Sequence, residues 1–200
     1  MTPIFNFDAS ILLWLQNNVR HPILDPVMVF ITHLGDKGLF WIALTLLMLC
    51  FRKTRRAGVT SAISMTIGLI VVNVILKNWL ARIRPYELIE ELELIIEKQH
   101  DFSFPSGHAT NALACAWVIF RLLDKRVGIP ALILALMICF TRLHVGVHYP
   151  TDVLAGIIVG ILSAELAIVI VRALAKRFPA FRRFIRSKPK KKKKKKVQGA

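Results

Sequence analysis

Three short clusters of polar residues each lie at the edge of an apolar run. The first contains Lys77 and Arg84, which are seven residues apart and share one face if the run that holds them is helical. Pro85 is expected to end that helix near Ile83. Two cations on one face at the edge of a membrane span can bind an anion. The same pair also suits side chains that anchor a span at the interface.

The second cluster runs from Phe104 to His108, reads Phe-Pro-Ser-Gly-His, and opens the next apolar run. A helix N-terminus presents free backbone N–H groups and the positive end of the helix dipole, which both favour a bound phosphate. Gly107 allows the backbone to approach a ligand closely, and the Ser106 hydroxyl can donate another hydrogen bond. Taken alone, the cluster fits an ordinary helix cap equally well.

The third cluster contains Arg142, His148 and Asp152 and leads into the last apolar run. Pro150 suits the first turn of that helix, so Asp152 is expected in the first turn with His148 just before it. This spacing lets the Asp152 carboxylate hold one imidazole nitrogen, which leaves the other as a nucleophile. A lone His–Asp pair is more often structural, but the neighbouring arginine favours catalysis. His144 is a further candidate for a contact to phosphate.

The elements that must position these clusters are apolar helices. Hydrophobic residues make up 55% of the 200, and the mean hydropathy of +0.55 is typical of a membrane protein. We predict an all-α integral membrane protein with about six helical segments, five of them clear membrane spans. The first 38 residues are interrupted by prolines, and they either cross once as a broken helix or lie partly in the interface.

The charge of the chain is unevenly distributed. The net charge is +16, and half of the 28 lysine and arginine residues follow Val171. A basic tail on an apolar body indicates a membrane surface rather than nucleic acid as the partner. We therefore predict a membrane-embedded domain at residues 1–175 and a basic, disordered cytoplasmic tail at residues 176–200. The acidic stretch Glu87–Glu97 forms either a short amphipathic helix beside the pocket or a solvated connector.

The positions of the basic clusters predict the orientation. Residues 52–56, residues 121–126 and the tail fall on one side if the apolar runs are crossings. The positive-inside rule makes that side cytoplasmic. The loop at residues 82–105 and the segment at residues 142–150 are then expected on the outer side.

The order of the apolar runs predicts that the three clusters meet. No apolar run separates Arg84 from His108, and two separate His108 from Arg142, so all three clusters reach the same side. Three cations match the charge of a phosphoryl group, and two histidines can divide the roles of nucleophile and general acid. Asp152 is expected to be the pocket's one carboxylate, which argues against a metal. The predicted pocket contains Lys77, Arg84, Ser106, His108, Arg142, His148 and Asp152.

The three clusters together resemble a known signature. Lys77-x6-Arg84-Pro85, Pro105-Ser106-Gly107-His108 and Arg142-x5-His148-x3-Asp152 are similar, in order and spacing, to the three-part signature of the type 2 phosphatidic acid phosphatase (PAP2) superfamily. The resemblance implies a PAP2/haloperoxidase-like helical bundle. Thr141 stands where a serine often precedes the arginine, and the hydroxyl is kept.

The resemblance also implies roles for individual residues. His148 would attack phosphorus to give a phosphohistidine, Asp152 would orient it, and His108 would protonate the leaving oxygen. No metal or other cofactor is expected. The groups implied to hold the phosphate are Lys77, Arg84, Ser106, the Gly107 amide and Arg142.

The implied substrate is a lipid phosphate or diphosphate. The compact architecture is similar to that of bacterial members that recycle the cell-wall lipid carrier, which makes undecaprenyl diphosphate the first choice. Phosphatidylglycerol phosphate, phosphatidic acid and diacylglycerol diphosphate also fit. The expected location is the bacterial inner membrane, with the active site on the periplasmic side.

Three other functions are compatible with parts of the pattern. A vanadate-dependent haloperoxidase has a similar pocket because vanadate mimics phosphate, but those relatives are soluble and longer. A phosphotransferase that passes a phosphoryl group between lipids can use the same histidine. A lipid-binding or transport protein without activity is disfavoured by the intact pair of His148 and Asp152.

Overall fold

The computed structural model describes residues 2–186, and every regular element within that range is helical. A π-helical stretch at Ile70–Leu76 joins α4 to α5 without a break. The α-helices are α1 (Pro3–Asn18), α2 (Leu24–Leu34), α3 (Leu39–Cys50), α4 (Arg55–Leu69), α5 (Lys77–Leu80), α6 (Pro85–Leu88), α7 (Gly107–Leu122), α8 (Lys125–His144), α9 (Pro150–Arg177) and α10 (Pro179–Ile185). The predicted all-α class is therefore confirmed.

Helix α7 forms the centre of the bundle and packs against α4, α8 and α9. The contact with α9 is close because small residues line it. A Cβ added at Gly156 would lie 2.6 Å from the Ser106 carbonyl oxygen, and one at Gly160 would lie 2.7 Å from that of Thr110. The backbones can approach this closely only without side chains at these positions. This packing holds the N-terminus of α9 beside that of α7.

Three helical stretches within residues 2–186 are long and apolar enough to cross a membrane, at Arg55–Leu88, Lys125–His144 and Pro150–Arg177. Leu24–Leu34 and Asp36–Cys50 form a fourth if the pair, bent by 42°, counts as one span. Helix α7 has 16 residues, fewer than the about 20 of a typical span. The prediction of five clear spans among six segments therefore stays a prediction.

The outer surface of α9 fits contact with lipid. Leu154, Ile158, Leu162 and Leu166 are at least half exposed and recur every four residues, so they form one apolar stripe along the helix. A continuous apolar stripe of this length is expected to be covered by another protein or by hydrocarbon.

The connection after Lys77 differs from the prediction. The helix ends at Leu80 because Ala81 takes a left-handed conformation with φ 43°. Pro85 does not terminate it but occupies the first turn of α6, where Arg84 is the N-cap residue. Lys77 and Arg84 therefore lie on different elements, and the expectation of a shared helical face is wrong.

The first 38 residues and the acidic stretch pack on each other beside the bundle. Leu12 of α1 is buried in a small cluster with Ile89, Leu92 and Tyr149. After α6 the acidic stretch has no further helix, so it is a connector anchored by two buried apolar side chains.

The predicted tail is partly helical. Helix α10 begins with Pro179, buries Ile185, and places the ring of Phe184 4.8 Å from the guanidinium carbon of Arg55. This packing onto α4 orders residues 179–185, which the sequence predicts as disordered. The rest of the predicted tail, residues 187–200, lies outside the described residues.

Candidate active site

The His148–Asp152 pair lies where α8 gives way to α9. Pro150 begins α9 as predicted, and Asp152 caps the backbone N–H of Tyr149, which donates to Asp152 Oδ2 at 2.9 Å. His148 Nδ1 lies 3.5 Å from the same oxygen. Both side chains are almost fully buried. Burial lowers the pKa of His148 well below its usual value, and the hydrogen bond with Asp152 opposes this. The ring is therefore neutral near pH 7, as a nucleophile must be.

Ser103 completes this arrangement, although the sequence did not single it out. Its hydroxyl donates to Asp152 Oδ2 and lies 3.4 Å from His148 Nδ1. No hydrogen bond to His148 Nε2 is present within residues 2–186. The geometry therefore leaves Nε2 as the nitrogen that can attack a substrate.

The two cations of the first cluster meet at a carboxylate. Arg84 Nη2 donates to Asp101 Oδ1 at 2.6 Å, and Lys77 Nζ contacts Asp101 Oδ2. Arg84 also donates to the carbonyl oxygens of Asp101 at 2.8 Å and of Val147 at 2.7 Å. Burial alone would raise the pKa of Asp101, but Lys77 and Arg84 outweigh burial and lower that pKa to about 2. An ionised carboxylate therefore bridges the two predicted phosphate-binding cations.

The expectation that Asp152 is the pocket's one carboxylate is wrong. Asp101 binds the cations, and Asp36 Oδ1 lies 3.0 Å from His108 Nε2. Asp36 belongs to the short 3-10 helix Asp36–Gly38 between α2 and α3, and Asp101 belongs to the loop before α7. The positions of both acids depend on packing between distant segments. His108 itself fits closely into the joint between α2 and α3, since a Cβ at Gly35 would lie 2.7 Å from His108 Cδ2.

The N-terminus of α7 faces the same region. Ser106 is the N-cap residue, as one interpretation of the sequence predicts, and its Oγ accepts from the backbone N–H of Ala109 at 3.5 Å. The backbone N–H of Ser106 donates to the Asp152 carbonyl at 3.0 Å, which ties the two clusters together. Beside Gly107 the space is open, because an added Cβ would meet only Asn73 Oδ1 at 3.8 Å.

Arg142 and His144, both at the end of α8, differ in what they contact. Arg142 donates from Nη1 to Thr32 Oγ1 at 2.6 Å, while its buried Nε has no hydrogen-bond partner among the described residues. An arginine with a spare donor suits an anion. His144 is fully buried and places Nε2 2.7 Å from Asp25 Oδ1, so this candidate phosphate contact has a partner on α2.

Two cavities meet at Lys37, near His108. One, of about 580 Å³, lies between the α2–α3 joint and the acidic loop and is lined by His108, Asp36, Lys37 and Glu97. The second, of about 290 Å³, is an apolar groove between α3 and α4 that is also lined by Lys37. Lys37 therefore lies between a polar chamber at His108 and an apolar groove.

The sequence also matches a known family. The family model of the PAP2 superfamily matches residues 57–176. The chain belongs to the PAP2 superfamily.

Individual PAP2 relatives are similar over most of the chain. An undecaprenyl-diphosphatase from Sulfolobus acidocaldarius is 36% identical over 68% of this chain and 66% of the relative. The undecaprenyl-diphosphatase BcrC from Bacillus subtilis is 33% identical over 74% of this chain and 75% of the relative. The crystal structure of a transmembrane PAP2-type phosphatidylglycerolphosphate phosphatase from Bacillus subtilis superposes with a TM-score of 0.71 at 29% identity. It covers 87% of this chain and 89% of that structure.

Several residues near this PAP2 site were missed at the level of sequence. Asp8 is fully buried and pairs with Arg82. Its place between Phe7 and the apolar run that follows could have indicated a functional or paired carboxylate, because a buried acid in an apolar segment needs a partner. Asp36 reads as an ordinary turn residue, and Asp101 reads as one more acid in an acidic loop. Nothing in the sequence marks Asp36 or Asp101 as a residue of the site.

Proposed function

We propose that this PAP2 protein is a membrane lipid phosphatase that works through a phosphohistidine. One observation carries the proposal: the His148–Asp152 pair, the cations and the N-terminus of α7 converge at one end of an apolar helical bundle. This combination suits a phosphate carried by a lipid, because the charged phosphate must reach a polar pocket while the acyl or prenyl chain of the lipid stays in the hydrocarbon of the bilayer.

The reaction has two displacement steps. His148 Nε2 attacks phosphorus and forms a P–N bond as the P–O bond to the lipid breaks, and His108 gives a proton to the leaving oxygen. Water then attacks the phosphohistidine with His108 as general base, the P–N bond breaks, and inorganic phosphate leaves with His148 neutral again. Asp152 holds Nδ1 and stabilises the positive charge that the ring gains in the first step.

The phosphoryl group is bound by charge and by backbone groups. Lys77, Arg84 and Arg142 supply three positive charges, which offset the charge on the phosphoryl oxygens in the transition state. Ser106 and the Gly107 amide donate at the positive end of the α7 dipole. For Lys77 and Arg84 to bind phosphate, the substrate has to replace the Asp101 carboxylate.

Undecaprenyl diphosphate is the first choice of substrate. Two relatives at 36% and 33% identity carry that activity in their names. The second candidate is phosphatidylglycerol phosphate, supported by the solved structure with a TM-score of 0.71. A lipid phosphotransferase uses the same first step and differs only in the acceptor of the second.

A phosphate-release panel with purified protein tests this proposal. Undecaprenyl diphosphate, phosphatidylglycerol phosphate, phosphatidic acid and diacylglycerol diphosphate would be compared, with His148→Ala as the inactive control. Release that is fastest from undecaprenyl diphosphate supports the first choice. Transfer of phosphate to an added lipid acceptor without release would instead identify a phosphotransferase. Halide oxidation with vanadate and peroxide would identify a haloperoxidase.

The membrane arrangement is part of the proposal. We place about six helical segments in the bacterial inner membrane, with the active site on the periplasmic side and the C-terminal tail in the cytoplasm. Two observations support it: the residues that carry the chemistry lie at one end of α7, α8 and α9, and the basic residues lie at the other ends of these helices.

A further inference from the structure

A partly buried arginine binds the second oxygen of the Asp152 carboxylate. Arg82 Nη1 donates to Asp152 Oδ1 at 2.6 Å, and Arg82 Nη2 donates to Asp8 Oδ2 at 2.7 Å. Both carboxylates are fully buried, whereas the Arg82 side chain is 24% exposed. The Arg82 guanidinium therefore joins Asp152, the acid of the His148–Asp152 dyad, to Asp8 of α1.

The guanidinium is held from several directions. Arg82 Nη1 also donates to Thr151 Oγ1 at 2.7 Å, and that hydroxyl donates to Asp8 Oδ2 at 2.6 Å. The backbone N–H of Thr151 donates to Asp8 Oδ1 at 3.1 Å. The Arg82 Cζ lies 3.9 Å from the centre of the Tyr149 ring. A planar fork that binds two carboxylates and stacks on an aromatic ring is a property of arginine and not of lysine.

The two oxygens of Asp152 consequently have separate partners. Oδ1 accepts from Arg82, whereas Oδ2 accepts from Ser103 and Tyr149 and faces His148 Nδ1. Rotation of the carboxylate would break the short contact to a cation in a buried setting, which is costly. The charge of Arg82 also offsets that of Asp152, which makes the carboxylate a weaker base toward the histidine.

We propose that Arg82, held in place by Asp8 of α1, is a positioning residue that fixes the Asp152 carboxylate so that Oδ2 faces His148. The inference rests on the proposed function, in which His148 is the nucleophile. It assigns Arg82 to the dyad rather than to the phosphate pocket, although Arg82 lies between Lys77 and Arg84 in the chain. It also makes the N-terminal helix a component of the active site.

Steady-state kinetics of purified full-length Arg82→Gln on undecaprenyl diphosphate tests the inference. We expect kcat to fall about 10- to 100-fold, as for the loss of a group that orients a catalytic side chain. KM should stay within about threefold, because the side-chain hydrogen bonds of Arg82 go to Asp8, Thr151 and Asp152 and not to the phosphate-binding cations. The matched control is Arg55→Gln, which removes a guanidinium that donates to the Leu49 carbonyl at 2.9 Å at the far end of the bundle. It should keep the wild-type kcat.

The pH profile separates positioning from a general loss of folding. In the folded protein, burial lowers the pKa of His148, the hydrogen bond with Asp152 opposes this, and the charges of Arg84 and Arg142 lower the pKa further. Removing the Arg82 charge strengthens the effect of Asp152, so the acid limb of kcat/KM should move to higher pH. A lower kcat with an unmoved acid limb would mean that Arg82 supports only the fold, and would overturn the inference.

Asp8→Asn provides a second, milder variant that keeps the acceptor for Thr151. It should reduce kcat less than Arg82→Gln, and the double variant should be no slower than Arg82→Gln alone, because Asp8 acts through Arg82. Multiplicative losses, or a raised KM at wild-type kcat, would contradict the assignment.

Trapping of radiolabelled phosphoenzyme distinguishes a failure of the proposed function from a failure of this inference. If wild type forms none at His148, the proposed function fails; if Arg82→Gln forms it at the wild-type rate, only this inference fails.

Discussion

At the scale of single residues, the proposed mechanism depends on the surroundings of His148 and His108. His148 is buried and neutral, with Nδ1 facing Asp152, and His108 lies in a joint next to Asp36. A neutral nucleophile and a nearby proton donor are the two groups that a double-displacement phosphatase requires.

Replacing the histidines should affect different steps. His148→Ala should lower turnover more than about 1,000-fold and abolish the acid-labile phosphoenzyme, because the nucleophile is gone. His108→Ala should slow the first step by about 100-fold or more, most for poor leaving groups. Rapid-quench trapping measures both. Phosphoenzyme on any residue other than His148 would refute the assignment.

Asp101 should compete with substrate for Lys77 and Arg84. Asp101→Asn removes the competing charge, so KM and the inhibition constant of vanadate should fall about two- to fivefold, the effect of roughly 0.5–1 kcal/mol for a partly exposed ion pair. The gain should be the same from roughly pH 5 to 8, since a pKa lowered to about 2 keeps the carboxylate ionised throughout. Glu90→Gln is a control that removes another, exposed acid of the same connection. A raised KM in Asp101→Asn would show that Asp101 helps to hold the cations in place.

At the scale of elements, the site is assembled from helix ends. The N-termini of α7 and α9 lie side by side because Gly156 and Gly160 allow close packing, and the α2–α3 joint closes the side at His108. Since His108 is the proposed proton donor to the leaving group, the leaving group is expected on the side of the cavity that Lys37 lines.

Lys37 should therefore distinguish diphosphates from monophosphates. It lies between the chamber at His108 and the apolar groove, where the phosphate that remains on the lipid would sit. Lys37→Met should lower kcat/KM for undecaprenyl diphosphate about fivefold and leave that for phosphatidic acid within about twofold. Arg126→Met, at the opposite end of α8, is the matched control. Equal losses of kcat/KM on both lipids would show that Lys37 does not bind the phosphate that remains on the lipid.

At the scale of the whole molecule, two basic clusters lie at the end of the bundle opposite the candidate site. The basic residues at 52–56 and 121–126 join the ends of helices that are far from the candidate site. The exposed apolar stripe of α9 runs between these ends. This distribution supports a fixed orientation in the membrane.

The orientation in the membrane can be tested with single introduced cysteines in a variant that lacks the three native cysteines. Lys98 and Lys53 are both exposed, in the loop at the site and in the turn between α3 and α4 respectively. On intact cells, an impermeant thiol reagent should label Lys98→Cys and leave Lys53→Cys unlabelled. The reverse pattern would put the active site in the cytoplasm and require a different physiological substrate.

Activity should not require a divalent metal. The proposed transition-state charge is met by Lys77, Arg84 and Arg142, and within residues 2–186 no three His, Cys, Asp or Glu side chains are grouped so that they could hold a metal ion. Turnover should be unchanged in EDTA. Full loss of turnover in EDTA, restored by magnesium or zinc, would overturn this prediction.

The sequence by itself determined the fold class, the three clusters and the end of the bundle at which they meet. These features depend on local patterns: apolar runs long enough to be helices, the Pro150 turn, the Ser106 cap, and the number of runs between Arg84, His108 and Arg142. Such patterns are readable because the physical cause lies within a few residues or in the order of the runs.

Only the tertiary structure decided which side chains surround the site. The contacts of Arg82 with Asp8 and of His108 with Asp36 each join residues more than 70 positions apart. Their pairing depends on how α1 and the α2–α3 joint pack on the bundle. Lys77 and Arg84 do converge, but on Asp101 and from different elements, because Ala81 ends the helix early. A local pattern carries no information about such distant partners, since they are selected by the burial of charge in the folded chain.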